Sequence, residues 1–300
     1  MFSSFAALLS ICVVVLASPT SEKRQSITTL SNAQIATFKP FSFYAAAAYC
    51  KPPTTLAWNC GANCEANPTF KPVASGGNGD SVQFWYVGYD PTLKTVIVGH
   101  QGTDFSKISA IVTDGNFVHG ELDSSLFPGV PSTAQVHDGF RDEQAKTATQ
   151  VLAAVNQALS ANSANQVAVV GHSMGGALAL LDGVYLRLQL PTNTSVKVVN
   201  YASPRVGNSN FASFVDSHVP LTHITNKKDI VPIMPGRASD FAHPNGEIHI
   251  KEDNTWNSCP GHDNTNTRCT VGDVPNIFAG LSHEPNDHFG PYDGVHIGGC

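Results

Sequence analysis

The chain has 300 residues, 42% of them hydrophobic and 13% charged, with a formal net charge of −6. That length can bury one large core. The acidic balance excludes an electrostatic footprint for nucleic acid or a polybasic membrane patch.

The first element in chain order is the apolar, uncharged run Phe5 to Ala17. It is too short to span a bilayer comfortably and ends in small residues, so residues 1–17 read as a signal peptide. No other run is apolar and long enough for a transmembrane helix. Residues 18–24 end in Lys23-Arg24 and read as a short propeptide. Residues 25–300 then form a single domain, with no internal repeat or long linker. The expectation is a secreted, extracellular monomer.

Ser31 to Tyr49 is expected to hold a helix with Ser31 as its N-cap. Val82 to Tyr89 and Thr95 to His100 are β-rich, and Asp90-Pro91 between them signals a hairpin turn. Arg141 to Leu159 carries apolar residues at helical spacing, among them Val151, Leu152, Val155 and Leu159. A buried strand at Val167 to Val170 leads through Gly171-His172-Ser173 into a helix over Gly175 to Leu190. Val196 to Tyr201, Leu221 to Thr225 and Glu247 to Lys251 read as strands, with a helix over Asn208 to Ser217. Asn254 to Asn276 is polar and reads as loop. Alternating strands and helices predict an α/β fold with a mostly parallel central sheet and helices on both faces.

Of seven cysteines, Cys12 leaves with the signal peptide, and six remain. An even set in an oxidising compartment reads as disulfides, whose connectivity spacing alone leaves open. The thiols lack the paired spacing of a zinc site.

Gly171-His172-Ser173-Met174-Gly175 is the most specific signal. It follows four apolar strand residues and opens a helix rich in Gly and Ala. A sharp strand-to-helix turn lifts a serine hydroxyl off the backbone, and the turn has no room for side chains at its glycines. The helix N-terminus adds partly positive N–H groups where an oxyanion would develop. Ser173 is therefore the expected nucleophile. It needs a base, and in this arrangement an acid and then a histidine follow in the chain. Asp229, just after a strand, is better placed as the acid than Asp216, Asp240 or Asp253. His283, His288 and His296 compete for the base. The run His283 to His288 is no zinc-protease motif, because its second histidine comes one place late and Pro285 forbids the helix.

These residues resemble the secreted fungal lipases of class 3, a family that also includes feruloyl esterases. The resemblance covers nearly all of residues 25–300. GHSMGGALA is similar to the family's GHSLGGALA, and Tyr201 to Asn208 resembles YGAPRVGN. Lys228-Asp229-Ile230-Val231-Pro232 resembles NDIVP, and Val136 to Phe140 resembles VHxGF. The resemblance implies the α/β-hydrolase fold, Asp229 as acid, and His288, in Asp287-His288-Phe289, as base. Gly290-Pro291-Tyr292 departs from the family's segment after the base. His100-Gln101-Gly102-Thr103 stands where the family has FRGS or FRGT. This makes Thr103, through its N–H and hydroxyl, one oxyanion donor and the Met174 N–H the other. Gln101 replaces the family arginine, which puts the support of that loop in question. By the same analogy the disulfides are Cys50–Cys300, Cys60–Cys64 and Cys259–Cys269.

The implied activity is carboxylic-ester hydrolysis through an acyl-enzyme on Ser173, with neither metal nor cofactor. The expected substrate is an acylglycerol, met at a lipid–water interface. The alternatives are a feruloyl or other small-ester esterase, and more distantly a non-catalytic secreted binding protein. In the family, the segment after the oxyanion loop is a lid. Here Ile108, Ile111 and Val112 fall at i, i+3 and i+4 and give it an apolar face. Asn193-Thr194-Ser195 is a glycosylation sequon in a loop between helix and strand.

Overall fold

A computed structural model of the protein describes residues 26–103, 117–280 and 286–300. The signal-peptide and propeptide readings on residues 1–24 lie outside the described residues. So do His283 and the lid residues Ile108, Ile111 and Val112.

The strands are β1 (Thr28–Thr29), β2 (Lys71–Gly76), β3 (Trp85–Asp90), β4 (Thr95–His100), β5 (His119–Glu121), β6 (Gln135–His137), β7 (Gln166–His172), β8 (Ser195–Tyr201), β9 (Leu221–Asn226), β10 (Glu247–Ile250) and β11 (Trp256–Cys259). The helices are α1 (Asn32–Ala36), α2 (Lys39–Ala47), α3 (Pro52–Ala57), α4 (Ala62–Glu65), α5 (Asp138–Ala145), α6 (Ala148–Asn162), α7 (Met174–Gln189), α8 (Ser209–His218), α9 (Thr270–Asp273), α10 (Ile277–Gly280) and α11 (Asn286–Phe289). Among the described residues, nine strands form one sheet in the order β1-β11-β10-β9-β8-β7-β4-β3-β2. The centre, β10-β9-β8-β7-β4, is parallel, and antiparallel strands close both edges.

Strand parity divides the core in two. Val96 and Val98 of β4, Val167 and Val169 of β7, and Val196 and Val198 of β8 face the layer of α5, α6, α7 and α8. Their neighbours Ile97, Ala168, Val170, Val199 and Tyr201 face α2, with Tyr44, Phe70 and Trp256. A sheet covered on both faces needs such nearly continuous apolar strands. This is the α/β-hydrolase architecture that the motifs implied.

Three expectations are corrected. The helix over Ser31–Tyr49 is two helices, because Pro40 has no N–H and its ring would meet the carbonyl of Ala36. Ser31 still caps the first, exchanging hydrogen bonds with Gln34 in a capping box. The helix over Arg141–Leu159 is also two, broken at Thr147, whose φ of −120° is not helical. The break lets α5 pack on α7 while α6 lies along β3 and β4. The polar stretch Asn254–Asn276 is not all loop: it contains β11 and α9. β11 joins the sheet through backbone pairing with β10 and β1, which needs no apolar side-chain pattern. The predicted hairpin is present as β3–β4, its turn held by Asp90 Oδ1, which accepts from the N–H groups of Thr92 and Leu93.

Disulfides join Cys50 to Cys300, Cys60 to Cys64 and Cys259 to Cys269, the pairs the resemblance implied.

Candidate active site

Loops at the C-terminal ends of β4, β7 and β9, where parallel sheets usually bind ligands, carry the site together with α11. Between β7 and α7, Ser173 sits at φ 57°, ψ −130°, an unusual conformation for a residue with a side chain. Holding it costs on the order of 1–3 kcal/mol, and the surrounding packing enforces it. A Cβ at Gly171 would lie 2.0 Å from the Gly175 carbonyl oxygen, and one at Gly175 would lie 2.4 Å from that of His100. The GxSxG pattern is thus a statement about space. Met174 opens the sixteen-residue helix α7, whose first N–H groups have no intrahelical partner and point back toward Ser173.

After β9, a turn buries Asp229 at 1% exposure. Its Oδ1 accepts from the Val231 N–H at 2.9 Å, and its Oδ2 lies 3.0 Å from His288 Nδ1. His288 is fully buried in α11. Asn226 Nδ2 donates to the Asp287 carbonyl at 2.8 Å, and the Lys228 N–H donates to Asp287 Oδ2 at 3.2 Å. The Asp229 turn and the His288 helix are therefore stapled together. His296 is exposed, and Asp216 is occupied elsewhere, 2.6 Å from His262.

The loop with the candidate oxyanion donor Thr103 leaves β4. Thr103 is buried and its Oγ1 donates to Met174 Sδ at 3.0 Å, so the two residues touch through their side chains. Gln101 supplies the support that the missing arginine left in question. Its N–H donates to the Phe84 carbonyl and its Oε1 accepts from the Phe84 N–H, both at 2.9 Å. Just upstream, His100 Nε2 lies 2.7 Å from the buried carboxylate of Asp182 in α7, which also accepts from Gln144 at 2.7 Å.

Sequence reasoning missed Asn226, Tyr49 and Tyr292. Tyr49 touches His172 across 123 residues of chain, and nothing local marks such a contact. Among the described residues, Glu247, Cys259 and Cys269 lie close enough together to hold a metal, but the two sulfurs are bonded to each other and offer no thiolate. A cleft of about 490 Å³ opens at the opposite end of the sheet beside Thr95, Gln166 and Leu221, the first residues of β4, β7 and β9.

Residues 97–239 match the family model described as Lipase (class 3). A secreted mono- and diacylglycerol lipase of Malassezia globosa is 30% identical over 237 residues, covering 74% of each chain. A lipase of Rhizopus niveus is 30% identical over 236 residues, and the match spans 75% of this chain and 56% of that relative. The solved structure of lipase II from Rhizopus niveus superposes with a TM-score of 0.77 at 28% identity, covering 92% of this chain and all of that one. Among the described residues no helix is long and apolar enough to cross a membrane. With this sheet, this serine turn and these relatives, the chain belongs to the class 3 lipase family and is a carboxylic ester hydrolase.

Proposed function

We propose that the protein is a secreted, monomeric lipase of acylglycerols in which Ser173, His288 and Asp229 form the catalytic triad. The observation that carries this reading is the strained Ser173 turn on β7 beside the buried Asp229–His288 pair, 3.0 Å apart. His288 takes the Ser173 proton as the hydroxyl oxygen attacks the ester carbonyl. Asp229 fixes the imidazole with its proton on Nδ1 and stabilises the imidazolium. The N–H groups of Thr103 and Met174 receive the oxyanion, and His288 returns the proton to the departing alcohol. Water, activated by His288, then releases the acid.

An oily substrate is supported by the surface beside the acid turn. An apolar cleft of about 280 Å³ is lined by Ile233, Met234, Val274, Ile277 and Phe278, and Phe278 is 85% exposed. Secretion is supported by the secreted Malassezia relative and by the apolar N-terminal run, with removal of residues 1–24 leaving Gln25 first.

Ser173→Ala tests the reading, with an expected loss of about 10⁶-fold in kcat and no change in folding. Asp229→Asn should cost about 10⁴-fold, since the geometry survives while the tautomer is wrong. An active His288→Ala protein would refute the base. Rates on emulsified glyceride, a soluble short-chain ester and methyl ferulate assign the substrate class; preference for methyl ferulate would replace the lipase by the esterase. For the lid, Ile108→Ser with Ile111→Ser should slow emulsified glyceride and spare the soluble ester.

A further inference from the structure

His172, the variable residue of the serine turn, is fully buried and bonded at both ring nitrogens. Its Nε2 lies 2.8 Å from the main-chain oxygen of His288, and its Nδ1 lies 2.7 Å from Tyr49 Oη. A carbonyl oxygen only accepts, so Nε2 carries the proton. The neutral ring then has a bare Nδ1, which accepts the Tyr49 hydroxyl proton. Burial holds His172 well below the usual histidine range, and the neighbouring His288 adds to this. Burial also keeps the Tyr49 phenol protonated. The Tyr49 oxygen also abuts Gly102 of the neighbouring loop. Gly102 can approach because it has no side chain: a Cβ there would lie 2.2 Å from the Tyr49 oxygen and 2.6 Å from the His172 carbonyl oxygen.

The bonds thus run one way, from Tyr49 O–H to His172 Nδ1 and from His172 Nε2–H to the His288 carbonyl, with Gly102 packed against the Tyr49 oxygen. That carbonyl also receives the Tyr292 hydroxyl at 3.0 Å, and the rings of His172 and His288 lie 4.5 Å apart. We propose that Tyr49 and His172 are positioning residues that lock the oxyanion loop and the loop of the catalytic base into one geometry through the serine turn. This rests on the triad reading above. Neither side chain is a reacting group. Without the Tyr49 hydroxyl, His172 Nδ1 is left buried with no donor and the contact of that hydroxyl with Gly102 is lost, so the ring and the backbone that it holds are less firmly placed.

The test uses the full disulfide-bonded protein and a soluble short-chain ester. Tyr49→Phe should lower kcat by about 10-fold to 10²-fold, the range that small misplacements produce, while KM changes by less than about two-fold. Affinity for an alkyl boronic acid, which forms a tetrahedral adduct with the serine, should fall by the same factor as kcat/KM. Affinity for a ground-state amide analogue should hold. Tyr292→Phe should give a smaller loss, since His172 still holds the carbonyl. His172→Gln, which keeps a donor, should retain more activity than His172→Leu at equal folded fraction. An unchanged kcat in Tyr49→Phe, a loss confined to KM, or boronate affinity that does not follow the rate would overturn the proposal. If the His172 variants do not fold, the two tyrosine variants decide it. Ser173→Ala separates the two levels: if it is active, the triad reading fails. An inactive Ser173→Ala beside a silent Tyr49→Phe removes only the coupling.

Discussion

Thr103 Oγ1 lies 3.0 Å from the sulfur of Met174, the residue after the serine. A thioether is a weak acceptor, so the hydroxyl loses little in turning from it to a developing oxyanion. Thr103→Val keeps the shape and the backbone N–H and removes only this donor. It should lower kcat by about 10²-fold with KM nearly unchanged. Steady-state kinetics on a soluble ester checks this; an unaltered kcat would leave the backbone N–H groups as the whole oxyanion hole.

Glu247 faces Cys259 across the β10–β11 pair at 2% exposure. Burial pushes its carboxyl up to about 7, against the hydrogen bond it accepts from the Thr270 N–H. The unfolded chain ionises near 4.5, while the folded protein stays protonated until about 7. The neutral group's contribution is therefore complete below about pH 4.5 and is lost as pH rises through 7. Glu247→Gln stays neutral and still accepts from Thr270. Relative to the wild type it should gain up to about 3 kcal/mol between pH 4 and pH 8. Thermal unfolding at the two values measures the gain, and an equal difference at both would contradict it.

The Cys50–Cys300 bridge closes a sequence separation of 250 residues and ties the end of the chain beside α2. Chain-entropy reasoning gives such a loop a stabilisation of about 5 kcal/mol. Replacing both cysteines by alanine should lower the melting temperature more than the same change at Cys60–Cys64, whose loop spans four residues. The secreted protein should show no reactive thiol when denatured without reductant; one or two titratable groups would disprove the full set.

Asn193 is exposed in the turn between α7 and β8. A glycan there would point to solvent and disturb no packed surface. Protein secreted from a eukaryotic host should carry one, seen as a mass shift on the peptide containing Asn193 that Asn193→Gln abolishes. A bare peptide in both would reject the site.

The serine turn was legible in the sequence because it is local. Its glycines, the strand before it and the helix after it all lie within residues 166–189, and steric room within that turn dictates which residues fit. The apolar runs of β4, β7 and β8 were legible for a related reason: a strand buried on both faces has little freedom in composition. The acid and base needed more. Position alone left three histidines, and the family motif singled out His288, which lies 3.0 Å from Asp229. The fold places the partners, since Asp229 and His288 meet although they stand 59 positions apart in the chain. Only the tertiary structure revealed that Gln101 clamps the oxyanion loop to Phe84, that β11 extends the sheet, and that His172 stands between Tyr49 and the base loop. Each of these depends on hydrogen bonds between separate segments, 17 positions apart for Gln101 and Phe84 and 123 for Tyr49 and His172. Such bonds leave no period or composition to read, because a single well-placed donor serves and the chain between is free to vary.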